Sequence, residues 1–316
     1  MPTGEELRAA CCWEADDQIP GRPAMTAFRR LARFQQSRWR EANGHPIGTQ
    51  PIVPKPDGTR VRSVGSRLPL DYARRTGATF LTAAAWDAAR SRTAYVEARQ
   101  SLDHQRLWVD LLSSPALSFN LFGDLAADLA LADRAVHAWF PDAPGRVGEV
   151  RFVHSPGWFD PAYINSLRSL DTAFILDLDD GTRGILAVGV RYHERNKPET
   201  PRPENIGRYG EVAQRSGVFA PGAIAALGAR GDLCVVWLEH LLMLSMLQHA
   251  SDTWTWGRYV VVHPGENVDV VDACARYRTM LDDDATFATM TVEGLLDGGA
   301  LPGATAAALR DRYLPG

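Results

Sequence analysis

The residues best placed to do chemistry lie at two ends of one hairpin. Asp171 opens a strand-like run, 172–178, which ends at the turn signal Asp179-Asp180-Gly181. The chain returns through a second strand-like run, 184–192. A hairpin places its first residue beside its last, so Asp171 is expected to meet Gly189-Val190-Arg191-Tyr192-His193-Glu194. Strand alternation puts Gly189, Arg191 and His193 on one face, and Val190 and Tyr192 on the other. On pattern alone, an acid facing an arginine in this way reads as a structural ion pair between Asp171 and Arg191. Other chemistry is absent by motif. There is no GxGxxG after a strand, no GxxxxGK, no HExxH and no GxSxG, which removes the usual signatures of nucleotide binding, zinc proteolysis and α/β-hydrolase chemistry. Cys11, Cys12, Cys234 and Cys274 form no CxxC pair and suggest no disulfide framework. Isolated histidines such as His137 and His249 read as packing or surface residues.

The elements that must hold the hairpin alternate in period. Pro23–Ala42 has helical spacing in Met25, Phe28, Leu31, Ala32 and Trp39, with Gly44 as its stop. Arg29, Arg33 and Arg40 share a neighbouring face, which suits either solvent or phosphate contact. Lys55-Pro56-Asp57-Gly58 predicts a turn between strand-like residues 52–53 and 60–64. Helical patterns follow at 81–99, at 104–112 and within 119–139. Residues 149–154 alternate as a strand. Beyond the hairpin, helices are expected at 206–214, 221–227, 232–249 and 268–281. A short strand is expected at 259–263, and short helices in the tail. The order predicts an α/β fold with a small mixed sheet flanked by helices, preceded by a mostly helical N-terminal region.

Composition sets the outer bounds. The chain has 316 residues, is 45 % hydrophobic and carries a formal charge of −4, the profile of an ordinary globular protein. Residues 19–106 hold 16 Lys plus Arg against 6 Asp plus Glu, so a basic N-terminal region sits on an acidic body and suits an anionic partner. Only Lys55 and Lys197 are lysines, as in a GC-rich coding sequence. The longest apolar run, 233–247, is broken by Glu239 and His240 and reads as a buried helix, not a membrane span. With no signal-like start and no disulfide pattern, the expected compartment is the cytoplasm.

Residues 165–194, with Arg168-Ser169-Leu170-Asp171, Asp180-Gly181 and Tyr192-His193-Glu194, resemble a branch of bacterial restriction endonucleases in the PD-(D/E)xK nuclease superfamily. Phe119-Asn120-Leu121-Phe122-Gly123 upstream and Trp256-Gly257-Arg258-Tyr259-Val260-Val261-Val262-His263-Pro264 downstream are similar to the same branch. The resemblance implies a restriction-endonuclease-like core over 113–316, with 1–112 as the basic, mostly helical N-terminal region. It implies a DNA substrate, Mg²⁺ or Mn²⁺ as cofactor, a role in bacterial defence, and a homodimer for cutting both strands. It makes Asp171 the metal-binding aspartate of the second strand.

Two positions depart from the family pattern. Gly189 stands where the metal-binding glutamate belongs, and Arg191 where the lysine belongs. Arginine keeps the positive charge but cannot act as a base. Glu149 on the neighbouring strand, His193 on the same face, and Glu194 are the expected substitutes for the missing acid. An open cleft would accept Glu at 189. The candidate catalytic set is therefore Asp171, Arg191, His193 and Glu149, with Arg29, Arg33 and Arg40 as DNA contacts. A catalytically inactive DNA-binding or scaffold subunit, and a small-molecule enzyme unrelated to nucleic acid, are the alternatives.

Overall fold

The computed structural model describes residues 1–14, 23–51, 61–95, 97, 99–100, 102–194, 198–229 and 231–314. In chain order the elements are α1 (Gly4–Ala9), α2 (Pro23–Ala42), β1 (Gly48–Pro51), β2 (Val61–Val64), α3 (Leu70–Thr76), α4 (Ala83–Ala94), α5 (His104–Val109), α6 (Ser114–Ala127) and α7 (Leu129–Trp139). There follow β3 (Arg146–His154), β4 (Leu170–Asp177), β5 (Arg183–Val190), α8 (Ile206–Ser216), α9 (Ala223–Ala229), α10 (Cys234–Leu247), β6 (Trp254–His263), α11 (Val268–Arg278), β7 (Phe287–Thr291), α12 (Val292–Asp297) and α13 (Gly303–Tyr313). β1 and β2 pair antiparallel as the N-terminal hairpin requires. Its expected turn at 55–58 lies outside the described residues, as do both lysines.

Five strands form one mixed sheet in the order β3-β4-β5-β6-β7. β3, β4 and β5 run antiparallel to one another, and β6 and β7 add in parallel. The parallel joins need crossovers, which α8 to α10 and α11 supply. Period-two alternation then decides the faces. Phe174, Leu176, Leu186, Val188 and Val190 join the core beneath α4, α6, α7 and α13. Ala173, Ile175, Ile185, Ala187, Tyr259 and Val261 join the core beneath α8, α10 and α11. Both faces are covered, so the inner strands are apolar throughout. The fifth strand, β7, departs from the helical reading of the tail. Its five residues complete a parallel edge whose partner is distant in sequence.

The 119–123 segment is helical and acts as a packing key. Phe119 stacks on Phe152 with ring centroids 4.2 Å apart. The buried Asn120 side chain accepts from the Leu81 N–H at 2.7 Å and donates to the Tyr313 hydroxyl at 2.8 Å. Gln36 of α2 and Arg312 of α13 exchange hydrogen bonds, and Gln36 also donates to the Tyr192 hydroxyl. Phe28, Ala32 and Leu107 therefore share one core with Phe119, Val190 and Tyr313, and the expected boundary at 112/113 runs through it.

The C-terminal end of β3 holds a buried histidine. His154 is 9 % exposed, lies opposite Leu170, and its Nε2 has no hydrogen-bond partner. Burial pushes its pKa down to about 4, helped by Arg151. The folded protein thus keeps it neutral where the unfolded chain, titrating near 6.5, takes up a proton. Its contribution to stability is full above about pH 6.5 and falls away toward pH 4, by about 1 kcal/mol per pH unit. Thermal melts across that window should show a shallower acid slope for His154→Gln than for wild type. Identical slopes would mean that His154 is not the group taking up the proton.

Candidate active site

The β4–β5 hairpin brings Asp171 and Arg191 together, as alternation requires. The Asp171 Oδ2 accepts from the Val190 N–H at 2.7 Å and from Arg191 Nη1 at 3.1 Å. The Val190 carbonyl accepts from the same Nη1 at 2.7 Å. On its other side the guanidinium meets a residue that strand periodicity does not reach. Arg191 Nη2 donates to Glu239 Oε1 at 2.5 Å and Oε2 at 2.6 Å.

Glu239 projects from α10, which crosses the sheet on the face shared by Asp171 and Arg191. It is 5 % exposed in a mostly apolar helix whose other polar residues are His240 and Ser245. A lone charge there would be costly, and it is tolerated because Arg191 and the Tyr259 hydroxyl, at 2.7 Å, both donate to it. Gly189 makes the room. A Cβ at that position would lie 2.6 Å from Glu239 Oε2 and 2.7 Å from the Tyr259 hydroxyl. The carboxylate thus enters from the helix into the space a side chain at 189 would need. The cleft is not open to Glu at 189, contrary to expectation.

Electrostatics follow from this packing. Burial raises the Asp171 pKa and Glu239 adds to the rise, while Arg191 opposes both. Burial works against charge on Arg191, but Glu239, Tyr259 and Asp171 together hold its pKa well above the ordinary value. Burial and the neighbouring Glu239 push Tyr259 far up, so its hydroxyl stays a donor. Glu194 lines the same cleft, of about 320 Å³, with Arg106 and Arg168. Burial disfavours its charge, but Arg106 and the Ser114 hydroxyl outweigh that and hold its pKa low. Its oxygens accept from Arg106 at 2.7 Å, Ser114 at 2.5 Å and the Tyr192 N–H at 3.1 Å.

A family model described as the PD-(D/E)XK nuclease superfamily matches residues 23–315. The chain belongs to that superfamily. No curated protein and no solved structure matches it. The superfamily acts on nucleic acid and typically uses divalent metal ions. The oxygen set here fits such an ion. Asp171, Glu239 and the Val190 carbonyl are hard oxygen donors, and all three already converge on one cation, the Arg191 guanidinium. Among the described residues no three His, Cys, Asp or Glu side chains gather in metal-binding geometry. A site here would therefore rest on two carboxylates and the backbone oxygen. No helix among the described residues is long and apolar enough to cross a membrane.

The other residues singled out by sequence are not brought to this cleft. Glu149 lies opposite Ile175, well along β3 from Asp171, and pairs with Arg151 at 2.6 Å. It lines a separate cavity of about 1040 Å³ between α4, α6 and β3. β5 ends at Val190, so alternation stops before His193. The His193 ring has neither nitrogen hydrogen-bonded and does not line the Asp171 cleft. The three α2 arginines are engaged inside the fold. Arg33 is 2 % exposed and donates to the Cys12 carbonyl at 3.0 Å, with Glu14 at 3.2 Å. Arg29 reaches Glu14 at 3.4 Å, and Arg40 donates to the Gly65 and His45 carbonyls. A helix face of arginines reads as basic surface in sequence, but in this protein it braces α2 against its neighbours. Glu239 is the residue that sequence reasoning missed. Its one signal in the sequence is a charge inside a mostly apolar helix.

Proposed function

We propose that this superfamily member is a metal-dependent endodeoxyribonuclease of restriction-endonuclease type, in which Glu239 replaces the strand glutamate absent at Gly189. The observation that carries the reading is the position of the Glu239 carboxylate, 2.6 Å from where a Cβ at 189 would stand and on the side of Asp171. Asp171, Glu239 and the Val190 carbonyl are the residues that would hold Mg²⁺ or Mn²⁺. When bound, such an ion polarises the scissile phosphate and makes water a competent nucleophile. Arg191 supplies positive charge for the phosphate and takes no proton. Tyr259 orients Glu239, and Arg106 and Arg168, paired with Glu194 and Glu199, line the cleft that receives the backbone. Cutting both strands calls for two copies of the chain, hence a homodimer on DNA.

A second reading is a catalytically inactive subunit that binds or scaffolds DNA. One observation favours it: both carboxylates are already paired with Arg191. Plasmid cleavage separates the two. The nuclease reading expects nicking or linearisation with Mg²⁺ or Mn²⁺, none with EDTA, and none from Asp171→Asn that melts as a folded protein. Salt-sensitive DNA binding without cleavage under any divalent ion supports the inactive subunit. Absence of both activities returns the protein to a small-molecule role.

A further inference from the structure

We propose that Arg191 is a resident counter-cation, which holds the two carboxylates closed in the free protein and yields their oxygens to a divalent ion when a phosphodiester enters the cleft. The inference rests on the nuclease reading above, since it takes Asp171 and Glu239 as the ion's ligands.

The geometry makes the two cations alternatives. Arg191 uses Nη1 for Asp171 Oδ2 and the Val190 carbonyl, and Nη2 for both Glu239 oxygens. These are the three groups a metal ion would need. A divalent ion entering with the guanidinium still in place would sit against a like charge in a largely buried site, and would find Asp171 Oδ2, the Val190 carbonyl and both Glu239 oxygens already accepting from Arg191. Arg191 must therefore turn out of the nest before the oxygens become free.

Among the described residues, the space it borders is the cleft of about 320 Å³. The carboxylates on that wall, among the described residues, are committed. Glu194 is held by Arg106, Ser114 and the Tyr192 N–H, and Glu199 pairs with Arg168. A displaced guanidinium thus finds no uncommitted carboxylate among the described residues of the cleft. It would instead join Arg106 and Arg168, which raises the positive charge there. Release is unfavourable until an anion arrives. A nucleic-acid phosphate is that anion: it pairs with the freed Arg191 and leaves Asp171 and Glu239 to the metal. Metal and nucleic acid must then bind with positive coupling, and linkage makes the effect reciprocal. The same step moves Arg191 from the carboxylates to the phosphate, the place where a lysine stands in the family pattern.

The test is Mn²⁺ binding to the full chain, followed by the electron paramagnetic resonance signal of free Mn²⁺. Titrations are run with and without a short DNA duplex, subtracting the uptake of the duplex alone. Wild type should bind Mn²⁺ weakly by itself and roughly tenfold more tightly with duplex, within the usual range of coupling between sites. Arg191→Ala and Arg191→Gln should bind Mn²⁺ roughly tenfold more tightly than wild type without duplex, and gain little when it is added. Asp171→Asn should remove the binding. Removing Arg191 leaves two carboxylates facing each other, so the variants are also melted with and without Mn²⁺. A larger Mn²⁺-induced rise in melting temperature than in wild type, or refolding on Mn²⁺ addition, is expected. Folded Arg191 variants that bind Mn²⁺ no better than wild type overturn the exchange, and so does an unfolded variant that Mn²⁺ does not rescue. If wild type nonetheless cleaves DNA with Mn²⁺, the nuclease reading survives that failure. If no form binds Mn²⁺, both fall together.

Discussion

Replacing Glu239 with Gln is expected to lower metal-dependent DNA cleavage by on the order of 10²–10³-fold while leaving a folded protein. The substitution keeps the shape of the side chain and its place above Gly189, but it removes one of the two negative charges that would hold the ion. Arg191 keeps Asp171 and the Val190 carbonyl as partners, at 3.1 Å and 2.7 Å. Loss of fold is therefore not the expected route to inactivity. Glu239→Ala is harsher. It strands the Tyr259 hydroxyl and half of the Arg191 guanidinium in a largely buried site, a cost of about 3–5 kcal/mol. Cleavage assays beside melting curves tell the two routes apart. A Glu239→Gln variant that cuts as fast as wild type, alongside a dead Asp171→Asn, would show that another acid serves the ion. Glu149 and Glu194 would then return as the candidates.

The second large effect runs against what strand pattern alone suggests. Gly189→Glu restores the family's strand motif on paper, yet it should destabilise the protein by at least about 3 kcal/mol and give no gain in cleavage. The new Cβ meets Glu239 Oε2 at 2.6 Å and the Tyr259 hydroxyl at 2.7 Å, and the new carboxylate faces an existing one. A chain of this size should lose on the order of 5–10 °C in melting temperature. The compensated variant is the sharper measurement. Gly189→Glu combined with Glu239→Ala and Tyr259→Phe moves the acid from helix to strand and clears both contacts. It should melt above Gly189→Glu alone and recover part of the Mn²⁺ binding that Glu239→Ala loses. With Tyr259→Phe as the common background, the coupling between positions 189 and 239 is the non-additivity of the two single changes and their combination. A single Gly189→Glu change that is neutral in stability and raises cleavage would mean the two positions do not compete for the same space.

Legibility in the sequence followed the range of the interaction. The boundaries of α2 are legible to the residue, because Pro23 and the apolar spacing up to Gly44 are local signals. The meeting of Asp171 with Arg191 was legible because a hairpin end and a two-residue period suffice to place it. His193 fell outside that logic. The Arg191 N–H still bonds the Val262 carbonyl at 2.8 Å, but the chain then bends and alternation no longer assigns a face. The α2 arginines show the same limit on a helix. Periodicity put Arg29, Arg33 and Arg40 side by side, but it said nothing of the Cys12, Glu14, His45 and Gly65 groups that receive them.

The amino-acid sequence by itself determined the alternation of β4 and β5, the acid at the mouth of their hairpin, the arginine opposite it, and the empty position at 189. Each of these is a matter of neighbours in the chain or of one turn. Only the tertiary structure decided that the empty position is filled. Glu239 stands 48 residues beyond Arg191, and no period links a helix residue to a strand so far behind it. The link exists because the parallel pairing of β5 with β6 needs a crossover, and α10, part of that crossover, is mostly apolar and buries itself against the sheet. The one charge at its centre must then find partners inside the protein. Gly189 yields the space, while Arg191 and Tyr259 yield the hydrogen bonds, so packing and desolvation together set the carboxylate beside Asp171.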